Sequence, residues 1–219
     1  MQTLRAKQLE LNTLLVRDLV VGCSELGLVP SEQQILLLCE YLELLSKWNT
    51  AYNLTAVRDP AQMVSRHVLD SLALCVHCEH SRYIDVGTGA GLPGIPLAIM
   101  FPDRKFDLLD SNGKKTRFLF QAKTALALDN VNIHHSRVEI FQPVRLFDVV
   151  ISRAYASLFD MVMSCRHLVN EHGRFYAMKG VYPNQEISAI NDFCDVKWVQ
   201  SLTIPGLDEQ RHLVSITLR

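Results

Sequence analysis

The stretch IDVGTGAGLPGIPLAI (84–99) decides the fold, because an apolar strand, an acid, alternating glycines and an apolar helix follow one another within it. From here onward strands and helices alternate, which predicts right-handed crossovers and a mostly parallel sheet covered on both faces. The last two strands are joined only by PGLDEQR (205–211), which predicts an antiparallel hairpin that closes the sheet. Strands are predicted at 82–86, 105–110, 131–135, 147–152, 173–179, 196–204 and 212–219; helices at 92–101, 113–129, 157–170 and 184–193; and a short turn near 137–141.

The spacing of the glycines indicates which class of ligand the turn binds. Gly87, Gly89 and Gly91 allow a ligand to approach the backbone closely. A dinucleotide fingerprint needs a glycine where this chain has Leu92, and a phosphate loop needs Gly-Lys-Ser/Thr, yet no lysine follows until Lys105. The turn therefore departs from both phosphate-binding patterns. It suits a nucleoside that carries an amino-acid tail and no phosphate.

Two acids at strand ends support this interpretation. Asp85 is expected either to hold an ammonium group or to order the loop. Asp110 ends the second strand, where an acid commonly accepts hydrogen bonds from ribose hydroxyls. For either acid alone, a helix cap or a solvated loop end is an alternative. Together with Gly87, Gly89 and the final hairpin, Asp110 predicts a methyltransferase that binds S-adenosylmethionine, whose parts are an adenine, a ribose and a zwitterionic tail.

The first eighty residues have helical periodicity instead. We predict a helical N-terminal extension over 1–80, packed on an S-adenosylmethionine-binding domain over 81–219. The helix signals are an amphipathic segment that stops at Gly27, the capping box Ser31 to Gln34, and Asp59 followed by Pro60 at a first helical position.

Composition restricts the function classes. The 219 residues are 48% hydrophobic and 21% charged, with a net charge of -1, which argues against unspecific coating of nucleic acid. No apolar run approaches about 18 residues and no signal-peptide order is present, so we expect a cytoplasmic protein without a membrane span. Cys75 and Cys78 have metal-like spacing, but no second pair follows, and we expect no metal and reduced cysteines.

Eight segments carry a closer resemblance to a known family. In chain order they are WNTAYNLTAVRDP (48–60), RHVLDSL (66–72), DVGTGAGLPGIPLAI (85–99), LLDSNGKKTRFL (108–119), SRVE (136–139), ISRAYASL (151–158), MKG (178–180) and EQRHLV (209–214). By these segments the chain resembles the bacterial 16S rRNA guanine-N7 methyltransferase G family, also called glucose-inhibited division protein B. The resemblance implies a seven-stranded class I sheet and methyl transfer to N7 of the guanine at 527, in the 530 loop of 16S rRNA.

The resemblance also implies site residues. Cofactor contacts fall by motif on Gly87, Leu92, Val138, Glu139 and Arg153. Glu139 is expected near the adenine edge, and Arg153 is expected to face the same pocket, with a salt bridge to an acid of the glycine loop region (Asp85 or Asp110) as its alternative. Asn112 and Lys115 depart from the leucine and arginine that the family more often shows, which would weaken a bidentate phosphate contact at Lys115.

The implied chemistry needs no general base, because guanine N7 has an in-plane lone pair and no proton to lose, and no catalytic residue is predicted. Tyr52 or Tyr155 could stack on the base, although core packing is an alternative for each. The predicted partner is 16S rRNA or the 30S subunit, bound by a monomer. Two rival functions are a ribosome-assembly or RNA-binding module without this activity and methylation of another RNA; a nicotinamide-dependent oxidoreductase is contradicted by Leu92. The candidate RNA contacts are Arg66, His67, Lys114, Lys115, Lys179 and Arg211.

Overall fold

The computed structural model describes the backbone of residues 2–153, 155 and 157–219, and the side chains from residue 13 onward within those ranges. Met1, Ala154 and Ala156 lie outside the described residues. The last two belong to the ISRAYASL segment quoted above.

The N-terminal part of the chain is helical, as predicted. Gly27 ends the first helix at φ +71°, and its N–H donates to the carbonyl of Ser24. Ser31 and Gln34 form the predicted capping box, and Asp59 caps a helix that has Pro60 at its first position. The helices are α1 (Gln2–Glu25), α2 (Glu32–Tyr52), α3 (Pro60–Met63), which continues through a π-helical segment (Val64–Leu69), and α4 (Asp70–Leu72), followed by a 3-10 turn (Cys75–His77).

The rest of the chain forms a sheet whose seven strands, counted over the described residues, lie in the order β3-β2-β1-β4-β5-β7-β6. β1 to β5 pair in parallel, while β7 pairs antiparallel with both β5 and β6, which confirms the predicted hairpin. The strands are β1 (Arg82–Val86), β2 (Lys105–Asp110), β3 (Val131–His135), β4 (Phe147–Ser152), β5 (Val169–Lys179), β6 (Cys194–Leu202) and β7 (Arg211–Leu218). The crossover helices are α5 (Gly94–Met100), α6 (Gly113–Ala125), α7 (Leu158–Cys165) and α8 (Asn184–Ser188).

All four helices predicted between the strands are longer than the helices observed, and the difference is largest at α7 and α8. The helix predicted over 157–170 ends at Cys165, and after a 3-10 turn (Arg166–Leu168) the chain enters β5 at Val169. Val169 pairs with Phe147 of β4, so strand pairing prevails over the helical periodicity of this apolar segment. The last predicted helix is likewise shorter, because α8 ends at Ser188.

Alternate residues of the central strands enter two hydrophobic clusters, one on each face of the sheet. In β1, Tyr83 packs in the cluster that contains α1, α2, α5 and α6, whereas Ile84 packs with α7 on the other face. The N-terminal helices thus share one core with the sheet, and the division at residue 80 stays a prediction. The strand order reverses between β1 and β4, and the crevice at the carboxyl ends of these strands is where such folds bind ligands.

Candidate functional site

A cavity of about 450 Å³ opens at the carboxyl ends of β1 to β4. Each of these four strands, or the loop that follows it, contributes to its wall, which contains both polar and apolar residues. The cavity therefore lies at the position that the strand order predicts for a ligand. Its lining residues are Val86, Gly87, Leu109, Asp110, Ser111, Ser136, Arg137, Val138, Glu139, Ser152, Tyr155 and Asp160.

The glycines of the opening turn have left-handed backbone conformations with different surroundings. Gly87, at φ +69°, lines the cavity, and a Cβ built on it meets no atom within 4 Å. At Gly91, with φ +90°, a Cβ would lie 2.5 Å from Cδ1 of Ile95. Gly91 is thus required by packing of the turn against α5. Gly87 instead leaves open the space that a bound molecule would fill.

Asp85 orders the loop, which is one of the two roles that the sequence left open. Its buried Oδ2 accepts hydrogen bonds from Oγ1 of Thr88 at 2.6 Å and from the N–H of Gly94 at 2.9 Å, so one carboxylate oxygen ties both ends of the turn together. Burial raises the pKa of Asp85 to about 6, although these hydrogen bonds and Arg153 lower it. Its Oδ1 is buried without a partner, and Asp85 is absent from the cavity wall.

Asp110 lies in the wall and connects the glycine turn to α6. Its Oδ2 accepts the N–H of Gly89 at 2.9 Å and lies 3.7 Å from Nζ of Lys115, while its Oδ1 accepts the N–H of Asn112 at 2.8 Å. Each carboxylate oxygen keeps a further lone pair. Gly89 itself does not line the cavity and reaches it through this hydrogen bond to Asp110.

The loop after β3 supplies the opposite wall. Val138 and Glu139, two of the cofactor contacts that the family resemblance implied, line the cavity from a 3-10 turn (Val138–Ile140). Sequence reasoning did not assign Tyr155 and Asp160 to this wall, although both follow β4, whose carboxyl end was the available signal. The Tyr155 hydroxyl lies 2.8 Å from Oγ of Ser164, and burial raises the pKa of Tyr155 to about 12.

Besides Gly89, two more of the predicted cofactor residues, Leu92 and Arg153, do not line the first cavity. Leu92 is buried in the hydrophobic core beside α5 and does not line the cavity. Arg153 does not face the pocket of Glu139, because its guanidinium turns away toward the N-terminal helices. There its Nη1 donates to Oδ2 of Asp70 and to the carbonyl of Arg66, each at 3.2 Å. The alternative for Arg153 was a salt bridge to Asp85 or Asp110, and in the structure its carboxylate partner is Asp70 instead.

Arg153 lines a second cavity, of about 370 Å³, that contains four of the six candidate RNA contacts. Arg66 and Arg211 both pair with Glu209, and Arg211 also pairs with Asp70. The Nζ of Lys179 lies 2.7 Å from Oε2 of Glu186 and is mostly buried. The wall of this second cavity consists of Val57, Arg66, His67, Asp70, Arg153, Met178, Lys179, Gly180 and Arg211.

His67 differs from the other members of this group, because it is buried. Its Nε2 lies 2.8 Å from Oγ1 of Thr55, and burial together with Arg153 lowers the pKa of His67 to about 4. His67 is therefore neutral at pH 7 and does not present a cation to RNA. The remaining two candidates, Lys114 and Lys115, lie at the start of α6; Lys114 is exposed and Lys115 half-buried.

The described side chains offer no thiol nucleophile at the cavity. Cys165 is fully buried 3.9 Å from the Tyr155 hydroxyl, and burial raises the pKa of its thiol to about 11. Cys75 and Cys78 are likewise buried and unpaired. Among the residues whose side chains are described, no group of three or more His, Cys, Asp or Glu could hold a metal ion, and no described helix has the length and apolar character to cross a membrane.

Comparison with solved structures supports the fold. A methyltransferase from Aquifex aeolicus superposes with a TM-score of 0.58 at 16% identity, covering 78% of this chain and 97% of that one. The glycopeptide N-methyltransferase MtfA, solved in complex with S-adenosyl-L-methionine, superposes with a TM-score of 0.59 at 10% identity, covering 70% of this chain and 95% of that one. At these identities the likeness shows the class I methyltransferase fold.

Sequence comparison is much more specific. The chain is 53% identical to ribosomal RNA small subunit methyltransferase G of Saccharophagus degradans, over 92% of this chain and 91% of that protein. It is 50% identical to the protein of the same name from Alteromonas mediterranea, over 94% and 96%. The family described as rRNA small subunit methyltransferase G matches residues 34–214, which include both cavities. With the class I fold, a cavity at its switch point and similarity over nearly the whole chain, this protein belongs to the rRNA small subunit methyltransferase G family.

Proposed function

We propose that this protein transfers the methyl group of S-adenosylmethionine to N7 of the guanine at 527 in the 530 loop of 16S rRNA. The observation that carries the proposal is the first cavity, with Gly87 and Asp110 in its wall, in a chain that belongs to a family of small-subunit rRNA methyltransferases.

The residues of the first cavity fit such a cofactor. The open space above Gly87 admits a close approach to the backbone, and the free lone pairs of Asp110 can accept hydrogen bonds from ribose hydroxyls. Leu109 and Val138 provide an apolar surface suited to a purine, and Glu139 follows directly at its edge. We propose Gly87, Asp110, Val138 and Glu139 as the cofactor-binding set. Gly89 would act through Asp110.

The reaction requires the protein to position the guanine against the methyl group and does not require a proton transfer. When bound, S-adenosylmethionine would supply a methyl group on a sulfonium, whose bond to sulfur breaks as the bond to guanine N7 forms and leaves S-adenosylhomocysteine as a neutral thioether. Guanine N7 attacks with a lone pair and loses no proton, so the residues at the cavity need to align the base and exclude water. The neutral Tyr155 phenol and the inert Cys165 thiol agree with a reaction that uses neither a general base nor a covalent cysteine.

The two cavities suggest where the base enters. The chain leaving β4 borders both, since Ser152 and Tyr155 line the first and Arg153 lines the second. Of the two tyrosines that could stack on guanine, Tyr52 already stacks on Trp48 at a centroid distance of 5.1 Å. We therefore propose that Tyr155 contacts the guanine and that the second cavity faces the RNA.

Calorimetric titration with S-adenosylmethionine tests the first half of this proposal, and absence of binding would refute it. The second half is tested by methyl transfer to 30S subunits, naked 16S rRNA and tRNA, followed by mass spectrometry against authentic 7-methylguanosine. Modification at guanine 527 is the expected result. Preference for tRNA, or a methyl group on another atom or nucleotide, would leave the methyltransferase chemistry in place and refute the assignment.

We also propose that the protein acts as a monomer in the cytoplasm on 16S rRNA or the 30S subunit. Support comes from the family, whose substrate is ribosomal, and from an open cavity that one chain builds alone. Light scattering on the purified protein, with and without S-adenosylmethionine, should give the mass of a single chain.

A further inference from the structure

Five charged residues at the second cavity form a closed ring of contacts. The Arg66 guanidinium contacts both carboxylate oxygens of Glu209, with Nη2 to Oε1 at 2.6 Å and Nη1 to Oε2 at 3.2 Å. Nη2 of Arg211 lies 3.4 Å from the same Oε2, and Nε of Arg211 lies 3.1 Å from Oδ1 of Asp70. Asp70 also binds Arg153, which closes the ring at the carbonyl of Arg66. Three guanidinium groups thus surround two carboxylates.

The geometry at Glu209 is that of a bound oxyanion. A guanidinium fork that meets two oxygens of one group is the arrangement by which arginine binds phosphate as well as carboxylate. The ring keeps one excess positive charge, which favours an anion at this place. Glu209 therefore stands where two oxygens of an RNA phosphate would be held, between Arg66 and Arg211.

The two carboxylates of the ring differ in how easily they can leave. The side chain of Asp70 is 3% exposed, and removing it would leave two guanidinium groups without their buried partner. The Glu209 side chain is 46% exposed and the Arg66 side chain 38% exposed, and ion pairs at such exposure contribute little to stability. Glu209 also lies between β6 and β7, in a loop that can move without unpairing a strand. Asp70 is thus the fixed member of the ring and Glu209 the exchangeable one.

We propose that Arg66 and Arg211 together form one phosphate-binding site for the rRNA backbone, and that Glu209 occupies this site in the free protein and is displaced when RNA binds. The site rests on the proposed function, because it assumes that rRNA is the substrate. Glu209 therefore favours RNA that fits both places at once. Only a strand that brings a phosphate to Arg66 and Arg211 while its guanine enters the first cavity compensates for the lost ion pair between Arg66 and Glu209.

The test is Glu209→Gln, which keeps the size of the side chain and removes its charge. Glu171→Gln is the matched control, because this substitution changes the net charge equally. Glu171 is 86% exposed and lies near the start of β5, whereas the second cavity lies at the end of that strand, at Lys179. Binding of 16S rRNA transcribed in vitro is measured at several KCl concentrations, with thermal unfolding as a check on the fold. Glu209→Gln should lower the dissociation constant about two- to fivefold and steepen the logarithmic salt dependence by about 0.7. Glu171→Gln should change neither.

Arg66→Gln tests whether the gain passes through this site. Alone it should weaken RNA binding, and combined with Glu209→Gln it should remove most of the gain, because Arg66 makes the two shorter contacts to Glu209 and only the 3.4 Å contact of Arg211 is then left to be freed. Weaker binding by Glu209→Gln would mean that Glu209 positions the arginines, and equal tightening by Glu171→Gln would mean a general charge effect; either result overturns the phosphate site. If the unchanged protein methylates rRNA and Glu209→Gln binds it no more tightly, only the site is refuted. If the unchanged protein neither binds nor methylates rRNA, the proposed function falls as well.

Discussion

Alanine at Gly87 and at Gly27 makes a matched pair of substitutions that separates backbone strain from loss of a ligand site. Gly87 has φ +69° and Gly27 has φ +71°, and a Cβ at either position meets no protein atom within 4 Å. The two positions differ in place: Gly87 lines the first cavity, whereas Gly27 ends α1 in a surface turn. Both alanine variants therefore have the same backbone strain, and only one places a methyl group in the proposed cofactor site.

The expected magnitudes follow from these surroundings. A non-glycine residue in the left-handed region costs about 1–2 kcal/mol, so both variants should lose about that much free energy of unfolding. At Gly87 the added methyl group also competes with the ligand for the same volume. Overpacking of a fitted site by one methyl group costs about 1–3 kcal/mol, which corresponds to about a five- to 150-fold weaker dissociation constant for S-adenosylmethionine.

The assay combines urea unfolding with calorimetric titration of both variants. Similar losses of stability, together with weaker cofactor binding only in Gly87→Ala, are expected. Equal affinity in the two variants would refute the claim that the ligand lies against Gly87. A comparable loss of affinity in Gly27→Ala would show that the effect operates through stability, and the assignment of the first cavity would lose its main support.

Three further predictions concern buried titratable groups. The folded pKa of Asp85, about 6, exceeds the unfolded value of 3.8, so the ionised carboxylate destabilises the fold above pH 6. Relative to Asp85→Asn, the free energy of unfolding of the unchanged protein should therefore rise by about 3 kcal/mol as the pH falls from 7 to 3.8. His67 shows the opposite trend, because its folded pKa of about 4 lies below the unfolded value of 6.5, so the stability present above pH 6.5 is lost as the pH falls toward 4. His67→Gln should lose less stability over this range. NMR should find the His67 ring titrating near pH 4, not 6.5. Finally, Cys165→Ala should retain methyl transfer measured with labelled cofactor; loss of activity in a folded variant would indicate a covalent cysteine mechanism.

Part of the wall of the first cavity was predictable from the sequence because it is local. The glycine turn, its acid and the helix after it lie within sixteen residues, and the strand order of this fold class brings the end of β2 beside the end of β1. Gly87 and Asp110 could therefore be assigned to one cavity without coordinates. The role of Asp85 remained open because an acid at a strand end can point to a ligand or to its own loop. Its hydrogen bonds to Thr88 and Gly94 decide for the loop.

Residues that follow a strand end are harder to assign. Ser152, Arg153 and Tyr155 all follow or end β4, and sequence reasoning placed Arg153 in the pocket of Glu139. In the structure Ser152 and Tyr155 line the first cavity, while Arg153 lines the second. Successive side chains at a strand end point to opposite sides, so Ser152 and Arg153 line different cavities, while Tyr155 lies beyond the end of β4, where this alternation no longer applies. The cavity that a given side chain enters depends on the residue with which it pairs there.

For Arg153 the partner is Asp70, and its distance along the chain explains why the ring of ion pairs at the second cavity could not be predicted, although four residues of that cavity were candidate RNA contacts. The ring joins Asp70 to Arg153 across 83 residues, Asp70 to Arg211 across 141, and Arg66 to Glu209 across 143. No periodicity or spacing records such contacts, because they form only once the N-terminal helices have packed against β5 and β7. The same contacts show that the N-terminal segment contributes to the second cavity as well as packing on the sheet domain. This segment supplies Asp70, the buried carboxylate that pairs with two arginines, and Arg66, the exposed arginine that pairs with Glu209. It therefore forms one wall of the second cavity. The segment before residue 80 therefore contributes one wall of the second cavity, which we propose faces RNA, and the sheet domain contributes the other wall as well as the first cavity.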